Sequence, residues 1–194
     1  MARRIVPLVF LAAASMVATS CSTALLKIKP AVELPPLSST ARSTEAGGCT
    51  VRVAPLLTDD ESQELFEANL PLSGVIPVRV EMIYQSGLPI ELKKARFRLH
   101  DAQGREWKYL NPKKALSRIL KANEVTLYNP NARKQSEADI SGYALDLSQT
   151  LSQDNPRRSG YLFFQTPDKR PVPSGQQLTF SVERLPQTAS ITIN

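Results

Sequence analysis

Gly74-Val75-Ile76-Pro77-Val78-Arg79-Val80-Glu81-Met82-Ile83-Tyr84-Gln85 decides the fold class. Val78, Val80, Met82 and Tyr84 fall on one face of an extended chain and Arg79 and Glu81 on the other, the period of two that marks a half-buried strand. Pro77 stands near its start, a place suited to an edge strand, because proline has no N–H to give to a ladder. Ser86-Gly87 then turns the chain, and Ala95, Phe97 and Leu99 repeat the pattern with Arg96 and Arg98 outward. Asp101-Ala102-Gln103-Gly104 closes a hairpin, the glycine supplying positive φ. Residues 105–110 return with Trp107 and Tyr109 on one face. Three alternating strands in succession imply an antiparallel sheet with one wet face.

Upstream, Cys49, Val51 and Val53 alternate with Thr50 and Arg52 in a first strand. Thr58 and Glu61 form a capping box, with Asp59 and Asp60 at the positive end of a short helix through Leu65 and Phe66. The same carboxylates read poorly as a metal site, since adjacent acids splay apart and no histidine lies near in sequence. Downstream, Asn111-Pro112 opens a helix, with Asn as N-cap and Pro at the first helical position. Its apolar stripe is Ala115, Leu116, Ile119 and Leu120; its basic stripe is Lys114, Arg118 and Lys121. That basic stripe reads either as a surface for anionic lipid or an acidic partner or as the solvated side of a helix packed on the sheet. Residues 124–128 read as a short strand and Asn129-Pro130-Asn131 as a turn. Residues 136–151 read as helix early and extended late. Gly160-Tyr161-Leu162-Phe163-Phe164 is a short, wholly apolar strand and therefore central in its sheet. A proline-rich loop over 167–175 carries Asp168, Lys169 and Arg170. Leu178, Phe180 and Val182 alternate in a further strand, and residues 190–193 add an edge. No internal repeat is present.

A hydrophobic content of 42% excludes a disordered chain. Without residues 1–20 the chain holds 22 Lys and Arg against 18 Asp and Glu, a net charge of +4. These charges are dispersed, with no basic stripe interleaved with aromatics, which argues against nucleic acid as a partner. From Cys49 on, about 145 residues remain, enough to bury ~68–70% of the unfolded surface without staples. Two cysteines are too few for a disulfide scaffold. The single histidine, His100, stands beside Asp101, and neighbours on a strand point to opposite faces, so the two make a poor dyad. One His and one further thiol cannot supply the usual zinc ligands. There is no phosphate-binding glycine loop and no Gly-x-Ser-x-Gly elbow. The expectation is a chain that is not an enzyme and holds no metal or cofactor. A hydrolase built from carboxylates distant in sequence stays open as an alternative.

Residues 1–20 have the layout of a secretory signal: Arg3 and Arg4, an apolar run from Ile5 to Ala14, then small and polar residues. The apolar run is shorter than the ~20 residues needed to span a bilayer. Ala18-Thr19-Ser20-Cys21 resembles the lipobox of bacterial lipoproteins. The resemblance implies cleavage before Cys21, acylation of its thiol and new amino group, and, with Ser22 rather than Asp next, sorting to the outer membrane on its periplasmic side. Two acyl signals already give stable anchoring, at ~0.8 kcal/mol per buried CH₂. The alternative is a secreted or periplasmic soluble protein in which Cys21 pairs with Cys49. With Cys21 acylated, Cys49 is a lone, buried thiol. Residues 21–48 read as a lipidated N-terminus and tether rich in Pro, Ser and Gly, up to roughly 90 Å long when extended. On another reading, part of it near Leu25 and Ile28 packs on the domain edge.

Residues 49–194 are thus expected to form a single mainly β domain, an immunoglobulin-like antiparallel β-sandwich with one or two helical insertions. The sequence from Gly74-Val75-x-Pro77-Val78-x-Val80 through residues 160–164 to Leu178-Thr179-Phe180 is similar to bacterial envelope lipoproteins with such a domain, and the likeness covers residues 49–184. Its motifs are structural, so it carries no active site across. The function expected is a non-catalytic binding or assembly module at the envelope, held to the membrane by lipid and touching another envelope protein. Lys114, Arg118, Lys121, Lys169 and Arg170 are the candidate contact residues. A second class of function is a small-ligand or carbohydrate-binding module using Trp107, Tyr109 and Tyr161 as a stacking platform.

Overall fold

The computed structural model describes Leu37 and residues 41–193. The leader, Cys21 and most of the expected tether lie outside the described residues. The strands are β1 (Arg42–Glu45), β2 (Cys49–Pro55), β3 (Val75–Tyr84), β4 (Ile90–Glu91), β5 (Arg96–Asp101), β6 (Glu106–Leu110), β7 (Thr150–Leu151), β8 (Arg157–Gln165), β9 (Leu178–Glu183) and β10 (Ala189–Ile193). The helices are α1 (Asp59–Phe66), α2 (Pro112–Ala122) and α3 (Pro130–Tyr143).

Eight strands form one antiparallel sheet in the order β1-β2-β3-β8-β6-β5-β9-β10, and β4 pairs with β7. The sheet folds over on itself until β1 and β10, its two ends, lie against each other. The result is a mainly β, sandwich- or barrel-like closure. β6 joins the two layers: Glu106 and Trp107 pair with β5, while residues 108–110 pair with β8. The enclosed core takes the inward side chains of both layers, among them Cys49, Val51, Val53, Val78, Val80, Met82, Leu99, Trp107, Leu162, Phe164 and Phe180.

A second apolar cluster lies on the outer face of β3 and β8. Tyr161 and Phe163 of β8 meet Phe66 of α1, Leu116 and Ile119 of α2, and Ile140 and Tyr143 of α3. β8 is therefore buried on both faces, and its unbroken apolar run places it at the centre of the sheet, as its sequence implies. The expected wet face is covered here by helices.

The caps follow the sequence closely. Thr58 and Glu61 form the capping box of α1, and the Asn111 side chain accepts from the Lys114 N–H at 2.9 Å at the start of α2. Several expectations are corrected. β3 is not an edge strand but lies between β2 and β8. Pro77 is tolerated because its carbonyl accepts from Leu56 N–H, so its nitrogen faces the point where β2 has already ended. Nor do β3 and β5 pair: the link between them carries the chain to the other layer, where β5 joins β6 and β9. Residues 124–128 form no strand; Val125 and Leu127 pack on the outer cluster instead. Asn129-Pro130 is not a turn but the N-cap and first residue of α3, and Ser136 lies within that helix. Arg42–Glu45, expected within the tether, is a strand paired with β2.

Candidate functional site

The two basic segments marked in the sequence, on α2 and in the 167–175 loop, meet in the structure. Lys114, Arg118 and Lys121 lie four and three residues apart on one side of α2. Arg118 is the residue that joins the segments. Its Nε donates to the Ser73 carbonyl at 3.0 Å, and its Nη2 donates to the carbonyl of Lys169. The loop is fastened further by Thr166, whose N–H donates to Gly74 O at 3.0 Å and whose hydroxyl donates to Arg170 O at 2.8 Å. Val172 N–H donates to Pro71 O at 3.0 Å. Gly74 permits this approach: its φ is +68°, and a Cβ there would stand 2.5 Å from Arg170 O. Lys169 itself holds a φ of +61°, an uncommon conformation for a residue with a Cβ.

Arg118 is thus half-buried and structural, whereas Lys114, Lys121, Lys169 and Arg170 are exposed. Arg170 has Asp168 at 4.0 Å, and the neighbouring Lys113 has Glu137 at 3.6 Å. Among the described residues no carboxylate lies within 4.0 Å of Lys114, Lys121 or Lys169.

A cleft of about 680 Å³ adjoins this basic face. Leu57, Pro71, Leu72, Pro171 and Val172 wall it, and Asp59 and Asp60 stand at its rim. Leu72 is 54% exposed. Sequence reasoning had no means to find this cleft, because its walls come from three separate stretches of chain, none with a periodic pattern. Asp59 and Asp60 enter the sequence reading only as helix-start residues.

The three aromatic residues do not converge. Trp107 is in the enclosed core and Tyr161 is in the outer cluster, on the opposite side of the sheet. Tyr109 is 40% exposed and rests edge-on against Phe164. Burial pushes the Tyr161 hydroxyl up to about 12. None of the three lines the cleft. His100 lies opposite Glu106 and Thr179, while the Asp101 carboxylate turns into the hairpin and accepts from Gln103 N–H, Arg105 N–H and Arg105 Nε. Cys49 is buried and free, and burial pushes its thiol up to about 11. Among the described residues no three His, Cys, Asp or Glu side chains are placed to hold a metal ion, and no helix is long and apolar enough to cross a membrane.

One further charged cluster escaped the sequence reading. Glu81, on the outer face of β3, accepts from Arg52 Nη1 at 2.8 Å and Arg157 Nε at 2.6 Å. Cross-strand register alone supplies this meeting, with Arg52 directly opposite Glu81 and Arg157 two positions along, opposite Ile83. No protein-family model matches the chain, and no curated protein does.

Proposed function

We propose that the chain is a non-catalytic lipoprotein of a bacterial envelope, held to the outer membrane on its periplasmic side by acyl groups on Cys21, and that its domain binds another envelope protein. The observation that carries the binding part is the joining of two basic segments by Arg118, next to an apolar-walled cleft. A solvated helix face needs no partner loop clamped beside it; an interface with an acidic protein gains from both. The anchor rests on Arg3-Arg4, the apolar run and Ala18-Thr19-Ser20-Cys21.

The domain reads further as immunoglobulin-like. In chain order β2, β3, β5, β6, β8, β9 and β10 take the places of the seven strands of that sandwich, with β2-β3-β8 in one layer and β5-β9-β10 in the other. β6 serves as the fourth strand and spans both layers. β1 is an added edge, and α2 with α3 fill the connection between β6 and β8.

Mass spectrometry of the mature N-terminus tests the anchor: a triacylated Cys21 is expected, and an unmodified first residue or a Cys21–Cys49 bridge would end it. Crosslinking in intact envelopes tests the contact. The triple variant Lys114→Glu, Lys121→Glu, Lys169→Glu is expected to lower recovery of the crosslinked partner at least ~10-fold, since like charges facing each other oppose association strongly. Its melting temperature should hold, the three side chains being exposed. Undiminished recovery would remove the basic face from the interface.

A further inference from the structure

Val125-Thr126-Leu127-Tyr128 links α2 to α3, and its valine, threonine and tyrosine are residue types that favour strands. The four residues run without a turn or bend, and Asn129 after them is extended, at φ −85° and ψ 115°. Their burial alternates as in a strand: Val125 and Leu127 pack on the outer cluster, whereas Thr126 is exposed and Tyr128 is 90% exposed. The segment lacks only a neighbour. Val125 N–H donates to Leu120 O at 2.9 Å. Among the described residues, the N–H groups of Thr126, Leu127 and Tyr128 and the carbonyls of all four residues have no hydrogen-bond partner.

A row of unpaired backbone groups is a template for another strand. In an extended chain the N–H and C=O of one residue share an edge, and successive residues alternate between the two edges. Val125 N–H meets the end of α2, so the Leu127 groups share that edge. Thr126 and Tyr128 therefore present theirs on the edge turned away from α2. The surroundings select the charge of a partner. Lys121 and Arg133 line a pocket of about 220 Å³ beside the segment, and no acid lines it. Residues 112–137 hold six Lys and Arg against Glu124 and Glu137. Glu137 is already held by Arg133 at 3.1 Å and by Lys113 at 3.6 Å. A second copy of the segment would bring these cations against their own kind, whereas an acidic chain would be drawn to them.

We propose that residues 125–128 are a strand-addition site whose occupant is an extended, acidic segment of another protein, paired with the backbone of Thr126 and Tyr128. This rests on the reading of the domain as a module that binds an acidic partner, and it supplies the conformation of the segment that is bound. Main-chain bonds give the affinity, and charge chooses among extended segments. Lys121 belongs both to this pocket and to the basic stripe of α2, so the two surfaces adjoin.

Amide hydrogen exchange in the full chain tests the site, with a capped hexapeptide of alternating glutamate and valine as the probe. With peptide at about ten times its Kd, exchange at Thr126 and Tyr128 should slow about ten-fold, because it proceeds only from the unbound fraction, while Leu127 keeps its rate. A peptide of alternating lysine and valine should bind at least ~10-fold more weakly. Thr126→Pro removes a donor that bonds nothing in the domain, so it should leave the melting temperature in place and weaken the glutamate peptide at least ~10-fold. Lys121→Glu, at an exposed side chain, should weaken the same peptide about 5-fold without touching the backbone. No slowing with about 1 mM peptide, slowing at amides outside this segment, equal binding of the lysine peptide, or slowing that grows with protein concentration alone would each overturn the proposal. The readout uses no envelope partner, so it fails separately from the crosslinking test of the basic face.

Discussion

Glu81 has 2% of its side chain exposed and accepts from two guanidiniums, one of which, on Arg157, is 57% exposed. Loss of the carboxylate removes the charge that Arg52 Nη1 and Arg157 Nε share. Glu81→Gln is expected to cost about 2–4 kcal/mol in urea denaturation, near the range for breaking a buried pair. Arg157→Gln is expected to cost less than about 1 kcal/mol, because its outer half is already hydrated. Equal costs would show that the cluster is not organised around Glu81. Asp101 carries a pH prediction. Burial raises its pKa, and the backbone and side-chain donors of Arg105 more than offset this, so it lies below the ordinary value. Because the folded value is depressed, its contribution is present above the unfolded value, about 3.9, and is lost as pH falls through the lower folded value. Asp101→Asn should therefore flatten the loss of stability below pH ~4, and an unchanged acid limb would refute the assignment. The acid itself was legible as a turn residue, whereas the meeting at Glu81 was not, because it depends on which strands flank β3.

Among the elements, β8 depends on close approach. Leu145 N–H donates to Tyr161 O at 3.0 Å as the chain leaves α3 and crosses the strand. A Cβ on Gly160 would stand 2.4 Å from Leu145 N and 2.5 Å from its Cα. Both atoms are backbone and cannot swing aside. Gly160→Ala is expected to lower stability by about 3 kcal/mol, the upper range for overpacking, whereas Gly142→Ala, in open space within α3, should raise it by up to ~1 kcal/mol. Paired thermal melts check both, and a Gly160→Ala protein as stable as the parent would contradict the crossing. The helix starts show why some elements were readable and one was not. Asn111-Pro112 and Asn129-Pro130 carry the same signal, but only the first is followed by an apolar stripe that is then buried. In α3 only Ser136, Ile140 and Tyr143 are buried, so its first turn looks like any polar turn.

At the scale of the whole molecule, Arg118 decides whether there is one basic face or two unrelated segments. Arg118→Met keeps the stem that covers α2 but removes both bonds to the carbonyls of Ser73 and Lys169. Among the described residues the loop's hydrogen bonds to the rest of the domain are then those of Thr166 and Val172, and trypsin cleavage after Lys169 should speed up at least ~5-fold, as expected when a loop's local opening becomes easier. The melting temperature should fall only slightly, and an unchanged cleavage rate would mean that the loop keeps its place without the clamp. The sequence by itself determined the strand periods, the caps of α1 and α2, the hairpin at Asp101–Gly104 and the central place of β8, since each follows from local geometry or from a side-chain pattern repeated every second residue. Tertiary structure alone decided that β3 and β5 lie in different layers, that helices cover one face of the sheet, that Arg118 is a clamp, and that three distant stretches wall a cleft. Those outcomes depend on which surfaces pack together after the elements form, and a one-dimensional pattern does not carry that information.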